Sequence, residues 1–164
     1  MTDDARHIRR AIELARMARE RGNHPFGALL VADEQIVLEA ENTVVTENDP
    51  THHAEMNLVQ LAWRKLPAAV IRRSTLYTST EPCPMCTGAI FWSGIRRVVF
   101  SLSAADLGEM ANDRFCGPCE TLFDRGQEKT VVIGPVLADE GRQVHLRFWT
   151  DRLETRTRQS DDAL

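Results

Sequence analysis

The chain has 164 residues, 43% of them hydrophobic, enough for one domain with a real core; its formal charge of −4 and pI near 5.7 argue against a broad basic face built to hold polyanions. There is no run of about 18 apolar residues, and the N-terminus MTDDARHIRR lacks the apolar centre of a signal peptide, so nothing directs the chain into or across a membrane and the cytoplasm is the expected compartment. Four cysteines in two CxxC pairs, in a chain of this size, point to metal or redox chemistry more than to a disulfide scaffold.

From Asp4 to Arg21 the apolar residues Ile8, Ala11, Ile12, Ala15 and Ala18 recur at helical spacing, and Gly22 is placed to stop that helix. The six arginines of this stretch are interleaved with Asp3, Asp4, Glu13 and Glu20, the pattern of a solvated face. PFGALLVADEQIVLEAEN then reads as an antiparallel strand pair joined at Ala32 to Gln35, with Asn42 delivered at the end of the second strand. A polar loop, TVVTENDPT, leads to His53. Residues 53 to 65 are apolar on more than one side, with Met56, Leu58, Val59, Leu61, Ala62 and Trp63, which predicts a helix buried within a layer.

STLYTS is a short strand, and EPCPMC is its exit. CTGAIFWSG reads as a second apolar helix ended by Gly94, and RRVVFSLS as a strand covered on both faces. The long connection from there to KTVVIGPVL holds a helix at Cys119 to Asp124 and permits a crossover, so the last two strands are expected to be parallel. A final helix is predicted from Asp139 to Leu153, carrying Val144, Phe148 and Trp149. The expected fold is α/β: a three-layer α/β/α sandwich around a five-stranded mixed sheet, residues 1–153 forming one domain and 154–164 a polar tail.

The chemistry lies where the two apolar helices begin. Cys83 and Cys86, three apart, can bind one ion from a first helical turn, where Pro84 favours a helix start and the free N–H groups favour thiolates. A lone CxxC is also what buried or incidental thiols look like. His53, opening the other helix, adds a third ligand, and one His with two Cys leaves zinc's fourth tetrahedral position for water, the arrangement of a catalytic site. Glu55 discriminates further. Residues two apart on a helix face away from each other, so His53 and Glu55 share a pocket only at a helix terminus, where the carboxylate can take a proton from zinc-bound water and hand it to a reacting nitrogen.

With HAE at 53 to 55 and PCPMC at 82 to 86, the chain resembles the zinc-dependent cytidine and deoxycytidylate deaminase superfamily, whose H-x-E and P-C-x-x-C pattern it carries. The resemblance runs from about Pro25 to Phe100; PFGALLV, NDPTHHAE and LYTSTEPCPMCTGAIFW are most similar to bacterial guanine deaminases, with tRNA adenosine deaminases next. It implies one zinc per chain on His53, Cys83 and Cys86, with Glu55 as proton shuttle. It further implies Asn42 hydrogen-bonding the base, Phe26 and Trp92 lining the pocket, the Ala54 backbone at the ring edge, and a homodimer. NDRF at 112 to 115 is similar to an acidic segment that approaches the base in guanine deaminases, which makes Asp113 a candidate. His52, where the family usually has a small residue, and Thr87, where guanine deaminases have an apolar one, depart from the pattern.

CGPC at 116 to 119 matches a thioredoxin-type tetrapeptide but lacks the early strand-to-helix setting of that fold, and no further ligand pair marks a second zinc site. The expected activity is hydrolytic release of ammonia from a free nucleobase or nucleoside, guanine first, then cytosine, cytidine or another nucleoside. Deamination of tRNA adenosine and a non-enzymatic fold held by a four-cysteine zinc site stand as alternatives.

Overall fold

The computed structural model describes residues 3–112 and 117–150. The chain begins with α1 (Asp3–Glu20), the hairpin β1 (Gly27–Ala32) and β2 (Gln35–Glu41), then α2 (Ala54–Lys65) and α3 (Ala68–Arg73). It continues through β3 (Thr75–Thr80), α4 (Pro84–Ser93), β4 (Arg97–Leu102), α5 (Ala104–Ala111), α6 (Cys119–Phe123), β5 (Val131–Ile133) and α7 (Ala138–Gln143). The strands form one five-stranded sheet in the order β2-β1-β3-β4-β5. β1 is antiparallel to β2 and β3, whereas β3, β4 and β5 run parallel, the last pair as the long connection between β4 and β5 predicts.

Alternation along the strands divides the core in two. Leu29, Val31, Tyr77 and Val99 face α1 and pack with Ile8, Ala11 and Leu14, while Ala28, Leu30, Leu76 and Val98 face the other layer. There α2, α3, α4 and α6 contribute Leu58, Ile71, Ile90 and Phe123. The result is the expected three-layer sandwich. Gly22 and Gly94, with φ of 87° and 91°, stop α1 and α4 in the left-handed region, as their positions imply. The hairpin turns on two non-glycine residues, Asp33 and Glu34, both with positive φ, and Arg73 holds the Asp33 carboxylate at 2.8 Å.

Four features differ from the sequence reading. α3 begins after Pro67 and α5 after Ser103, whose hydroxyl accepts the Asp106 N–H at 3.1 Å, a short-range cap that the reading passed over. Trp63 of α2 is 61% exposed, so α2 keeps one face in solvent and is not enclosed on all sides. The last predicted helix is broken: α7 ends at Gln143, Arg147 takes φ of 63°, and helical backbone returns only at residues 148–150. At the break the Arg19 guanidinium takes the carbonyls of Val144 and Leu146 at 2.8 and 3.1 Å, acceptors that a continuous helix would use for its own N–H groups. Residues 151–153 of that helix and the tail lie outside the described residues. Among the described residues no helix is long and apolar enough to cross a membrane.

α1 crosses β1 so closely that a Cβ on Gly27 would stand 2.5 Å from the Ala11 carbonyl oxygen, the Ala15 nitrogen and the Leu14 Cβ. Backbone atoms cannot swing aside as a side chain can. Gly27→Ala is expected to destabilise the fold by about 3 kcal/mol, read as a lower urea midpoint at unchanged slope.

Candidate active site

Two helix N-termini meet beside the sheet. His53 is the N-cap of α2 and Cys83 the N-cap of α4, both in extended backbone, with Pro84 at the first helical position. α4 follows β3, and α2 packs against α4, so the topology brings together three residues that are 30 and 33 positions apart. His53 Nδ1 lies 3.6 Å from the Sγ of Cys83 and 3.6 Å from that of Cys86. The three ligand atoms lie within 4.8 Å of one another, the one such group among the described residues. Zinc held tetrahedrally, at about 2.3 Å from sulfur and about 2.0–2.1 Å from nitrogen, sets N and S about 3.6 Å apart. The two nitrogen–sulfur distances match that value.

The charges in the trio are already polarised. The Cys83 thiol is drawn down to about 4, first by its hydrogen bond with Cys86 and then by that with His53. Cys86 is pushed up, because its proton is held against that thiolate and because it is buried. His53 is raised, first by its bond to Cys83. His53, Cys83 and Cys86 would hold an ion with both sulfurs as thiolates, so its binding would displace the Cys86 proton.

Glu55 is buried beside this group. Its Oε1 accepts the Thr78 hydroxyl at 2.8 Å, and its Oε2 lies 3.6 Å from Cys86 Sγ. Burial raises its pKa first, and the Cys83 charge adds to it, so this carboxyl binds a proton more readily than an exposed one. Helix-start geometry is what allows a residue two beyond His53 to face the same group.

Asn42 is fully buried at the end of β2, where its Oδ1 accepts the Val44 N–H at 3.1 Å while its Nδ2 has no partner. The Val44 bond fixes which end of the amide is which, so the free end is a donor. Phe26, whose carbonyl accepts the Asn42 N–H at 3.0 Å, presents its ring parallel to His53, with centroids 6.4 Å apart at 11°. Ala54, the first residue of α2, is buried there too. Trp92 is not brought to this group: it is 82% exposed near the end of α4, edge-on to Phe91. Asp113 and Cys116 lie outside the described residues.

The sequence reading missed two flanking groups. Glu81, two residues before Cys83, accepts the N–H groups of Ala104 and Cys119 at 2.8 Å each and so anchors the ligand loop to the starts of α5 and α6. Cys119 is buried against that carboxylate, which raises its thiol pKa after burial has already done so, the opposite of a reactive redox cysteine. The second is His145, buried, at 3.2 Å from Thr80 Oγ1 through Nε2 and accepting the Trp149 indole N–H at 3.2 Å through Nδ1. Its ring and that of Trp149 both pack on Phe26, at 5.3 and 6.1 Å. The C-terminal residues thus back the aromatic wall of the site within their own chain, on the side that the apolar pair Phe148 and Trp149 of the last predicted helix is expected to cover.

The model of the cytidine and deoxycytidylate deaminase zinc-binding region matches residues 1–102. The chain belongs to this family. It is 37% identical over 153 residues to a probable cytosine deaminase of Schizosaccharomyces pombe, covering 89% of this chain and 92% of that one. To a guanine deaminase of Bacillus subtilis it is 41% identical over 107 residues, 65% and 69% of the two chains. To a tRNA-specific adenosine deaminase of Haemophilus influenzae it is 36% identical over 154 residues, 92% and 86%. The guanine deaminase structure from Nitrosomonas europaea shares the fold at TM-score 0.73, with 23% identity over 86% of this chain and 81% of that one.

The trio and the wall make separate predictions. Cys83→Ala is expected to lose its metal while Cys119→Ala retains one zinc per chain, measured by elemental analysis of purified protein. His145 is depressed from 6.5 to about 4, by burial first and then by the Arg19 charge. The unfolded chain therefore takes up this proton near pH 6.5 while the folded chain does not, so the stability that the neutral ring contributes is complete above 6.5 and is lost as pH falls toward about 4. The expected loss over that window is about 3 kcal/mol, and His145→Gln should flatten the fall of urea stability between about pH 7 and about pH 4.5 by that amount.

Proposed function

We propose that the chain is a zinc-dependent hydrolytic deaminase of a free nucleobase, with Glu55 as its proton carrier. The observation that carries the reading is the buried Glu55 carboxyl set beside the group of His53, Cys83 and Cys86, with one oxygen held by Thr78 and the other turned toward the Cys86 sulfur. Zinc bound by His53, Cys83 and Cys86 supplies a strong oxygen nucleophile near neutral pH. Glu55 takes the proton that the attacking water gives up and passes it to the ring nitrogen next to the amine-bearing carbon. Glu55 then takes the proton of the hydroxyl that the attack has placed on the ring carbon and passes it to the amino group, so the C–N bond breaks; water is consumed, ammonia leaves and a ring carbonyl remains.

Binding falls to the residues around this group. Asn42 offers its unpaired Nδ2 donor to an acceptor on the base, an oxygen or an unprotonated ring nitrogen. Phe26, parallel to His53, supplies a flat apolar face, and the Ala54 backbone lies at the opening of α2. Guanine is the base that the resemblance around NDPT and PCPMC favours, with Asp113 as a further acceptor. Cytosine is the second reading, because the match to the cytosine deaminase relative runs almost the whole chain, whereas that to the guanine deaminase relative covers 65% of it. The net charge of −4 gives no general attraction for tRNA. In a homodimer, Trp92, exposed on its own subunit, is open to a second one.

The test is ammonia release from guanine, cytosine, adenine and their nucleosides at matched concentrations, with a tRNA substrate alongside. Guanine or cytosine should exceed every nucleoside and the tRNA by at least about tenfold; a nucleoside or tRNA in front would remove the free-base reading. Glu55→Gln keeps the shape but cannot carry the proton, and is expected to keep zinc while losing about 10²–10⁴-fold in kcat. Near wild-type turnover in that variant would take Glu55 out of the mechanism.

A further inference from the structure

Glu55 has two oxygens, and the protein treats them differently. Oε2 lies on the side of Cys86, at 3.6 Å from Sγ, while Oε1 lies 2.8 Å from the hydroxyl of Thr78, a buried residue of the central strand β3. That hydroxyl has three acceptors in reach: Glu55 Oε1, the Thr80 carbonyl at 3.1 Å and the Gly27 carbonyl at 3.5 Å. It has one hydrogen to give, and the carboxylate is both the nearest acceptor and the one that carries charge, so the hydrogen goes there.

Among the described residues no other hydroxyl bonds Glu55. Ser79 Oγ accepts the Gly27 N–H at 3.1 Å, and Thr80 Oγ1 is engaged with His145 at 3.2 Å. A glutamate side chain left without this bond keeps its rotational freedom, and a carboxylate that misses its target by a fraction of an ångström loses most of its value as a base.

We infer that Thr78 is a positioning residue for the deamination: its hydroxyl anchors Glu55 Oε1 and so aims Oε2 as the oxygen that carries the proton. This rests on the reading of Glu55 as the proton carrier. The Thr78 hydroxyl is bonded to Glu55 and to backbone carbonyls, and it acts through the carboxylate. A side chain that served packing alone would be replaceable by its isostere, whereas this one is replaceable only by another hydroxyl.

Thr78→Val keeps the shape and removes the hydroxyl, Thr78→Ser keeps the hydroxyl and removes a methyl, and Thr78→Ala stands in for the Val variant if that one does not fold. All are compared with wild type and with Glu55→Gln for zinc content, thermal midpoint, and kcat and KM on whichever base of the panel the wild-type chain turns over fastest. The Val variant is expected to bind one zinc, to hold KM within about twofold and to lose at least about tenfold in kcat, and the Ser variant to recover most of that loss. Equal losses in Ser and Val, a loss confined to KM, or a loss that tracks zinc content would each overturn the inference. The two failures are distinguishable: an active Glu55→Gln removes the proton-carrier reading itself, whereas an inactive Glu55→Gln beside a fully active Thr78→Val removes Thr78 alone.

Discussion

The meeting of two helix N-termini is the constraint on which the rest of the site depends. Three ligand side chains and a carboxylate must occupy a few ångströms, yet residues two apart on a helix diverge. Placing His53 at the N-cap of α2, before the helix proper, leaves its ring free to turn back toward α4 while Glu55 enters from the first turn. Cys83 is likewise the cap of α4, with Cys86 one turn in. Free N–H groups at both helix starts favour the negative charge that the sulfurs and the carboxylate bring. The parallel run of β3 and β4 requires a crossover, and α4 is that crossover, so its start is fixed at the exit of the central strand.

Burial then does two opposed things to Glu55. It raises the cost of the charged form, which favours proton uptake, and it removes water that would otherwise solvate and reorient the carboxylate. Such a group is costly unless its oxygens are engaged, which Thr78 on one side and Cys86 on the other accomplish. Asn42 is the complementary case. Its acceptor is satisfied by the chain and its donor is not, an imbalance that makes sense in a site completed by a ligand.

What could be read from the sequence was what short-range pattern encodes. Gly22 and Gly94 mark helix ends, the apolar run RRVVFSLS marks β4 as a strand covered on both faces, and HAE with PCPMC marks the trio, because each signal sits within a few residues of its effect. What escaped depends on distant partners. The carbonyls at the break after Gln143 are held by Arg19, 125 positions before Val144. Apolar character alone could not tell that Trp63 and Trp92 face out while Phe123 is buried, since side-chain type does not report which face a helix turns to its neighbours. His145 and Thr78 are single polar residues in buried settings, and their partners, Thr80 and Glu55, are 65 and 23 positions away.

The central strand shows how far polarity can be carried into a core when every group is assigned. β3 and its exit read TLYTSTE, with five hydroxyl side chains and a carboxylate, a composition that would suit an exposed edge. Yet Tyr77 to Thr80 are all buried. Tyr77 donates to Asp4 at 2.6 Å and receives Arg97 at 3.2 Å, tying α1 to β4. Thr78 holds Glu55, Ser79 caps the start of β1 at Gly27, Thr80 meets His145, and Glu81 takes the first N–H groups of two helices. Each bond reaches a different element, so the strand is a spine from which the helix layers, the C-terminal wall and the carboxylate are all positioned. An apolar strand would pack as well against the two cores, but it would leave a buried carboxylate oxygen, a histidine nitrogen and several backbone donors without partners. Each such group costs about 1–3 kcal/mol when orphaned. The polarity of β3 is thus a requirement of the site it supports, and the strand next to the ligand loop is where that requirement is greatest.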